Sequence, residues 1–183
     1  MTDHDCNDSD VSQYLPQYHS WLRLMARMQL DSRWDQKFDA SDVAQQTLME
    51  AWNAESQFRG TSHGERLAWL RTILGRVIAR QIRRYSGTDK RDPGREMSLP
   101  DALSLPDALR RSSVMLENLL ADNIESASWQ ADRREQQMIV SEAIERLSEE
   151  HREVIVLRNL QCLSHAEVAE RMGRSENAVR MLW

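Results

Sequence analysis

Toward the end of the chain, Arg174, Ser175, Glu176, Asn177 and Arg180 crowd into a short stretch. Their types suit one chemistry, the reading of duplex DNA. Arginine pairs with guanine edges and phosphates, asparagine pairs with adenine, and a helix N-terminus favours phosphate. A second concentration of chemistry lies upstream, where Arg66, Arg71, Arg76, Arg80, Arg83 and Arg84 recur between apolar residues. Such a row of guanidinium groups suits a nucleic-acid backbone. The residues of an enzyme are not gathered in this way. His4, His19, His63, His151 and His165 are scattered, without metal-ligand spacing such as H-E-x-x-H. Cys6 and Cys162 lie far apart, each without a nearby sequence partner for nucleophilic catalysis, which argues against a disulfide scaffold and a structural zinc site. Gly60 and Gly64 form a turn signal without the lysine of a phosphate-binding glycine loop. No catalytic residue, cofactor or metal is expected.

Helices must position these groups. The 183 residues suit one ordinary domain or two small ones. Nowhere does the period-two alternation of a half-buried strand occur, so the expected fold is all-α. Residues 1–12 are polar and acidic and read as a disordered arm. From Tyr14 to about Leu30, Leu15, Tyr18, Trp21, Leu22, Met25 and Met28 recur at helical spacing. A second helix spans about Ser41 to Ala54, with Ala44, Leu48, Ala51 and Trp52 on one face and Ser41 or Asp39 as cap. The loop 57–64 follows. A third helix, Glu65 to about Tyr85, carries the stripe Leu67, Leu70, Leu74, Val77, Ile78 and Ile82, with a basic outer face.

Residues 86–112 read as a linker broken by Gly87, Pro93, Gly94, Pro100 and Pro106, with weak helical character resuming between Val114 and Trp129. SLPDAL occurs at 98–103 and again at 104–109, a local duplication too short for a repeat architecture. Beyond Arg133, Met138, Ile139, Ala143, Ile144 and Leu147 mark a helix, and Ser148 is placed to cap the next. Ser164 and Glu167 have the spacing of a capping box, Gly173 stops that helix, and Ser175 caps the last. Residues 164–183 thus match a helix-turn-helix closed by Val168, Ala169, Met172, Val179 and Leu182, although an ordinary αα-hairpin has the same pattern. The resulting division is an arm (1–12), a helical domain (13–86), a flexible acidic linker (87–132) and a helix-turn-helix domain (133–183).

The net charge of −5 argues at first against a nucleic-acid binder. Its distribution argues otherwise. Residues 39–58 carry −4, residues 59–95 carry +7, and residues 96–150 carry −7. Solvated helix faces also produce such runs. No run approaches the roughly 18 apolar residues of a membrane span, and the acidic start lacks the order of a secretory signal, so a cytoplasmic location without membrane insertion is expected.

Four stretches resemble bacterial RNA polymerase sigma factors, specifically the small extracytoplasmic-function (ECF) group. Residues 39–52 (DASDVAQQTLMEAW) resemble the polymerase-binding helix, and residues 68–84 (AWLRTILGRVIARQIRR) resemble the promoter-melting helix. Residues 147–158 (LSEEHREVIVLR) and 164–180 (SHAEVAERMGRSENAVR) resemble the C-terminal helix-turn-helix domain. The likeness covers about residues 14–85 and 134–183, and the order of the motifs makes it specific.

The resemblance implies that Asp39, Asp42, Gln45, Gln46 and Met49 face core RNA polymerase. Carboxylates accept bidentate arginine bonds and glutamine adds directional ones. It implies that Arg59, Gly60, Thr61, Ser62 and His63 receive an extruded base of the downstream promoter element, while Arg76, Arg80, Arg83 and Arg84 hold the melted non-template strand. Opening duplex costs about 1.4 kcal/mol per base-pair step in lost stacking, which capture of unpaired bases offsets. Trp69 and Tyr85 are candidates to stack on bases, although Trp69 equally suits a core position. Arg174, Ser175, Glu176, Asn177 and Arg180 would read the double-stranded upstream element. The acidic linker would pass toward the RNA exit path, and many relatives are held inactive by an anti-sigma protein. The last helix, ending at Trp183, is little more than two turns and is expected to fray. A polymerase-independent helix-turn-helix regulator and a helical adaptor that binds only protein are the alternative readings.

Overall fold

The computed structural model describes residues 15–30, 39–86, 104–121 and 129–183. The acidic arm, Gly87, Pro93, Gly94, Pro100 and the first SLPDAL copy lie outside them, as does the side chain of Tyr85. Among the described residues every regular element is helical: a 3₁₀ turn Leu15–Tyr18, then α1 (His19–Gln29), α2 (Ala40–Asn53), α3 (His63–Ser86), α4 (Ser104–Ala121), α5 (Trp129–Glu145), α6 (Glu149–Ile155), α7 (His165–Met172) and α8 (Glu176–Leu182). The all-α expectation holds.

Helix α1 is the centre of the main core. Trp21, Leu22, Leu24, Met25 and Ala26 are all fully buried, so apolar side chains leave this helix on nearly every side. α2, α3, α4 and α5 pack around it. The predicted stripe of α3 is buried throughout, from Leu67 to Ile82. On α2, Val43, Ala44, Thr47 and Ala51 face inward, and the Thr47 hydroxyl donates to the Val43 carbonyl at 2.7 Å. Trp52 does not join them. It is 54% exposed, so its placement on the apolar face is corrected: it lies three residues beyond Met49, on the outer edge.

The stretch read as linker contains α4. Pro106 does not break it, because it stands in the first turn, where backbone N–H groups have no intrahelical acceptor. α4 sets Leu105, Leu109 and Leu116 into the main core, and Leu109 rests on Gly75 of α3, where an added Cβ would lie 3.3 Å from Leu109 Cδ1.

The buried face of α5 is also rotated from the predicted one. Ile139 is 60% exposed and Ala143 is exposed, while Gln137, Ser141 and Ile144 point inward at spacings of four and three. They meet a polar seam in which Gln29 Nε2 donates to Ser112 Oγ at 2.7 Å and Ser113 Oγ donates to Met25 Sδ at 3.6 Å. Small side chains let α1, α4 and α5 approach closely, a geometry that a count of apolar residues does not reveal.

Arg152 of α6 ties this region together. Its guanidinium donates to the carbonyls of Ile144 (3.3 Å), Glu145 (2.8 Å) and Leu147 (2.7 Å), and to Glu149 Oε2 at 2.7 Å. It thereby satisfies carbonyls that the end of α5 leaves open, with the charge sign that a helix C-terminus favours. Glu145 and Glu149 in turn meet Arg23 (3.1 Å) and Arg27 (2.6 Å) of α1. Ser148 precedes α6 without capping it; its hydroxyl is instead 2.6 Å from His151 Nδ1.

After α6 the chain forms a π turn, Val156–Leu160, in which Gln161 N–H donates to Val156 O at 2.9 Å. Val156 and Leu160 face the main core, whereas Val154 and Leu157 join Val168, Ala169 and Val179 in a second, smaller cluster. That second cluster is the interior of the helix-turn-helix.

Candidate functional site

Three surfaces carry the predicted residues. The first is the outer edge of α2. Asp39 caps the helix, accepting from Ser41 N–H at 3.1 Å, so part of its hydrogen-bonding capacity is engaged locally. Asp42, Gln45 and Met49 are exposed along the helix, Met49 by 60%, and Gln46 donates to Glu50 at 3.1 Å. Trp52 extends this row, and the pair covers a shallow apolar hollow bordered by Leu15, Pro16 and Leu48. Sequence reasoning missed Trp52, although the spacing Asp42, Gln45, Met49, Trp52 already traces one helical stripe.

The second surface is α3 and the loop before it. Glu65 organises the loop: one carboxylate oxygen accepts from Thr61 N–H (2.9 Å), Ser62 N–H (3.0 Å) and the Ser62 hydroxyl (3.0 Å), while Ser62 Oγ accepts from Glu65 N–H. The Ser62-to-Glu65 spacing of a capping box was the sequence signal for this. Arg59, Thr61 and Ser62 are exposed; His63 is partly covered, its Nδ1 3.0 Å from the Tyr18 hydroxyl. Burial pushes the Tyr18 phenol above its ordinary pKa. Gly60 is required here, since a Cβ would come within 2.8 Å of Glu65 Cβ and collide with the Phe58 ring. That ring is held in a stack: Arg66 lies 4.1 Å from its centroid, and Trp69 packs at 5.1 Å. Trp69 is therefore a half-buried support for the loop.

Arg76, Arg80, Arg83 and Arg84 project from the exposed side of α3. Arg80 is not idle: it makes a fork to Glu50 of α2, at 2.5 and 3.3 Å. For Glu50, burial acts to raise the carboxyl, but hydrogen bonds from Arg80 and Gln46 and the charges of Arg80 and Arg76 outweigh it and hold the pKa below the ordinary range. A depressed carboxyl pKa means that the contact is present at neutral pH and is lost as pH falls through the lowered value. Arg80 is largely solvent-exposed, so the pair orients the side chain more than it stabilises the fold.

The third surface is the helix-turn-helix. The capping box is complete, with Ser164 N–H donating to Glu167 at 2.7 Å and Glu167 N–H to Ser164 Oγ at 3.2 Å. Those bonds from Ser164 keep Glu167 ionised below its usual pKa. Gly173 adopts φ 62°, the left-handed turn that a glycine makes without strain. Ser175 accepts from Ala178 N–H at 3.2 Å, as its cap role required. Arg174 in the turn, the cap Ser175, and Glu176, Asn177 and Arg180 on α8 are all exposed. Two of them already hold carboxylates: Arg174 pairs with Glu150 and Arg180 with Glu176 at 2.6 Å. At the end of α8, Trp183 makes two side-chain contacts. Its indole N–H donates to Asn159 Oδ1 at 2.8 Å and its ring meets His165 edge-on at 5.5 Å.

No described helix is long and apolar enough to cross a membrane. Among the described residues, no group of three His, Cys, Asp or Glu side chains is placed to hold a metal ion.

Comparison with known proteins agrees with this geometry. Residues 11–88 match the family model for sigma-70 region 2, and residues 137–182 match that for sigma-70 region 4. The chain is 28% identical over 149 residues to the ECF RNA polymerase sigma factor SigG of Mycobacterium tuberculosis, from strain CDC 1551 / Oshkosh and from strain ATCC 25618 / H37Rv. The alignment takes in 79% of this chain and 39% of each relative, so the chain spans about two fifths of their length. No solved structure is significantly similar. With sigma-70 regions 2 and 4 both matched in order, and a capped helix-turn-helix within the second, the chain has the make-up of a sigma-70 family protein and is similar to ECF sigma factors.

Proposed function

We propose that this chain is a dissociable specificity subunit, without catalysis of its own, that binds core RNA polymerase in the cytoplasm and directs transcription initiation. The observation that carries this reading is the segregation of surfaces on one small body. A polar and apolar edge on α2 faces one way, a row of arginines lines α3, and a capped recognition helix stands apart on α8. Asp42, Gln45, Gln46, Met49 and the cap residue Asp39 form the polymerase edge. The loop Arg59 to His63 and the arginines 76, 80, 83 and 84 engage the melted downstream element, and α8 engages the duplex upstream element. An anti-sigma protein is a further expected partner, given the habit of the group.

The carboxylates on Arg80, Arg174 and Arg180 favour this reading over a free-standing regulator. DNA must displace each of them, so binding by the chain alone is weak, and docking on polymerase supplies the missing affinity. The decisive experiment is reconstitution with core enzyme followed by run-off transcription and start-site mapping. Failure to co-purify with core enzyme at moderate salt sinks the proposal.

Two variants test the assigned surfaces. Asp42→Arg places a like charge before an arginine-rich partner and, with Gln45→Ala, is expected to weaken polymerase affinity about tenfold while the fold survives. Unchanged affinity in both removes this edge from the interface. Neutralising Arg80, Arg83 and Arg84 together is expected to reduce permanganate reactivity of the promoter bubble far more than it reduces polymerase docking. An undiminished footprint assigns strand capture elsewhere.

A further inference from the structure

Glu50 stands where two of the predicted surfaces meet. On α2 it lies one turn beyond Gln46 of the outer edge and three residues beyond the buried Thr47, on the side that faces α3. Its carboxylate accepts from Gln46 Nε2 at 3.1 Å and from the Arg80 fork at 2.5 and 3.3 Å. One carboxylate therefore joins the edge assigned to polymerase to an arginine assigned to the melted strand. Its side chain is 24% exposed, so a group arriving at Gln46 can reach it. Residues 39–58 carry four carboxylates and no base, so the partner that complements this face is cationic. Two cations that share one carboxylate each weaken its hold on the other. The hold on Arg80 is itself modest, because an exposed pair of this kind amounts to about two- to fivefold in an equilibrium.

We propose that Glu50 is a positioning residue that couples the two surfaces: in the free chain it holds Arg80 off DNA, and a cationic group of the docked polymerase takes over its carboxylate and releases Arg80 to the strand. This inference rests on the polymerase reading. Released, Arg80 joins Arg76 and Arg83 along the basic hollow that α4 closes over α3. The exchange leaves no charge stranded, since one ion pair on Glu50 replaces another and Arg80 moves onto phosphate. Coupling of this kind is reciprocal, so a strand that takes Arg80 frees Glu50 for the polymerase cation.

The test titrates the whole chain with a fluorescent single-stranded DNA oligonucleotide, first without polymerase and over a range of salt. Glu50→Gln keeps the size of the side chain and removes its charge, and is expected to bind the oligonucleotide about two- to fivefold more tightly. The slope of log affinity against log salt is expected to steepen by about 0.7, the mark of one added phosphate contact. Adding Arg80→Gln to that chain is expected to abolish both changes. Glu142→Gln, which takes a carboxylate from the exposed Arg146 pair on α5, controls for net charge and is expected to produce neither. With core enzyme present, the oligonucleotide is expected to raise the polymerase affinity of the wild type about two- to fivefold more than that of Glu50→Gln, which has no hold left to release. Absence of an Arg80-dependent gain in the free chain overturns the proposal. So does an equal effect of the oligonucleotide on the polymerase affinity of both chains. A wild type that does not bind core enzyme refutes the polymerase reading and the coupling with it, whereas normal binding without these gains refutes the coupling alone.

Discussion

Arg152→Ala is expected to cost about 3–5 kcal/mol of folding stability. The side chain is nearly buried, and it carries the ends of two helices and two carboxylates at once. Removing it takes a donor from the Glu145 and Leu147 carbonyls, leaves the Ile144 carbonyl with Leu147 N–H alone, and leaves the buried Glu145 with Arg23 alone. Buried carbonyls that lose their donor are what make such a loss severe; a replacement of both partners by apolar residues would cost far less. Chemical denaturation with circular dichroism measures it. A loss below about 1 kcal/mol, in the range of an exposed pair, would show that Arg152 is solvated in solution.

Trp52→Ala is expected to weaken binding to core polymerase by about 2 kcal/mol or more, near thirtyfold, with little change in stability. Large aromatic side chains at the centre of an interface dominate its affinity, and here Trp52 and Met49 stand out from α2 over an apolar hollow. The substitution removes little from the core because Trp52 is 54% exposed. A competition titration against labelled wild type gives the number, and thermal melting checks that the fold is intact. If affinity is unchanged, the polar residues Asp42 and Gln45 carry the contact without an apolar anchor.

The legible parts of the sequence share one property: their cause is local. The stripe from Leu67 to Ile82, the capping box of Ser164 and Glu167, the stop at Gly173 and the cap at Ser175 each depend on residues within a turn or two, and each is found as expected. The illegible parts depend on distant neighbours. Ile139 and Trp52 are as apolar as any core residue, yet both are exposed, because the core to which their helices belong is reached by another face. Gln137 and Ser141 are buried although both are polar, because they lie on the face of α5 that packs against α1 and α4. Pro106 opens a helix, since its position in the first turn depends on where Ser104 begins it. At the site, the residue types and their order on α2, α3 and α8 were legible, whereas the carboxylates that hold Arg80 and Arg174 were not. Glu50 and Arg80 are 30 residues apart and Glu150 and Arg174 are 24 apart, separations over which no helical period operates.

By itself, then, the sequence determined the helical class, the capped helix-turn-helix and the succession of polar, basic and recognition surfaces, because backbone hydrogen bonding and apolar periodicity act over a few residues. Tertiary structure alone decided which arginines are held by Glu50 and Glu150, that Trp52 stands outward beside Met49, and that α4 closes a basic cavity over α3. Those outcomes follow from how helices pack side by side, where a fraction of a turn of rotation separates a core residue from a binding residue.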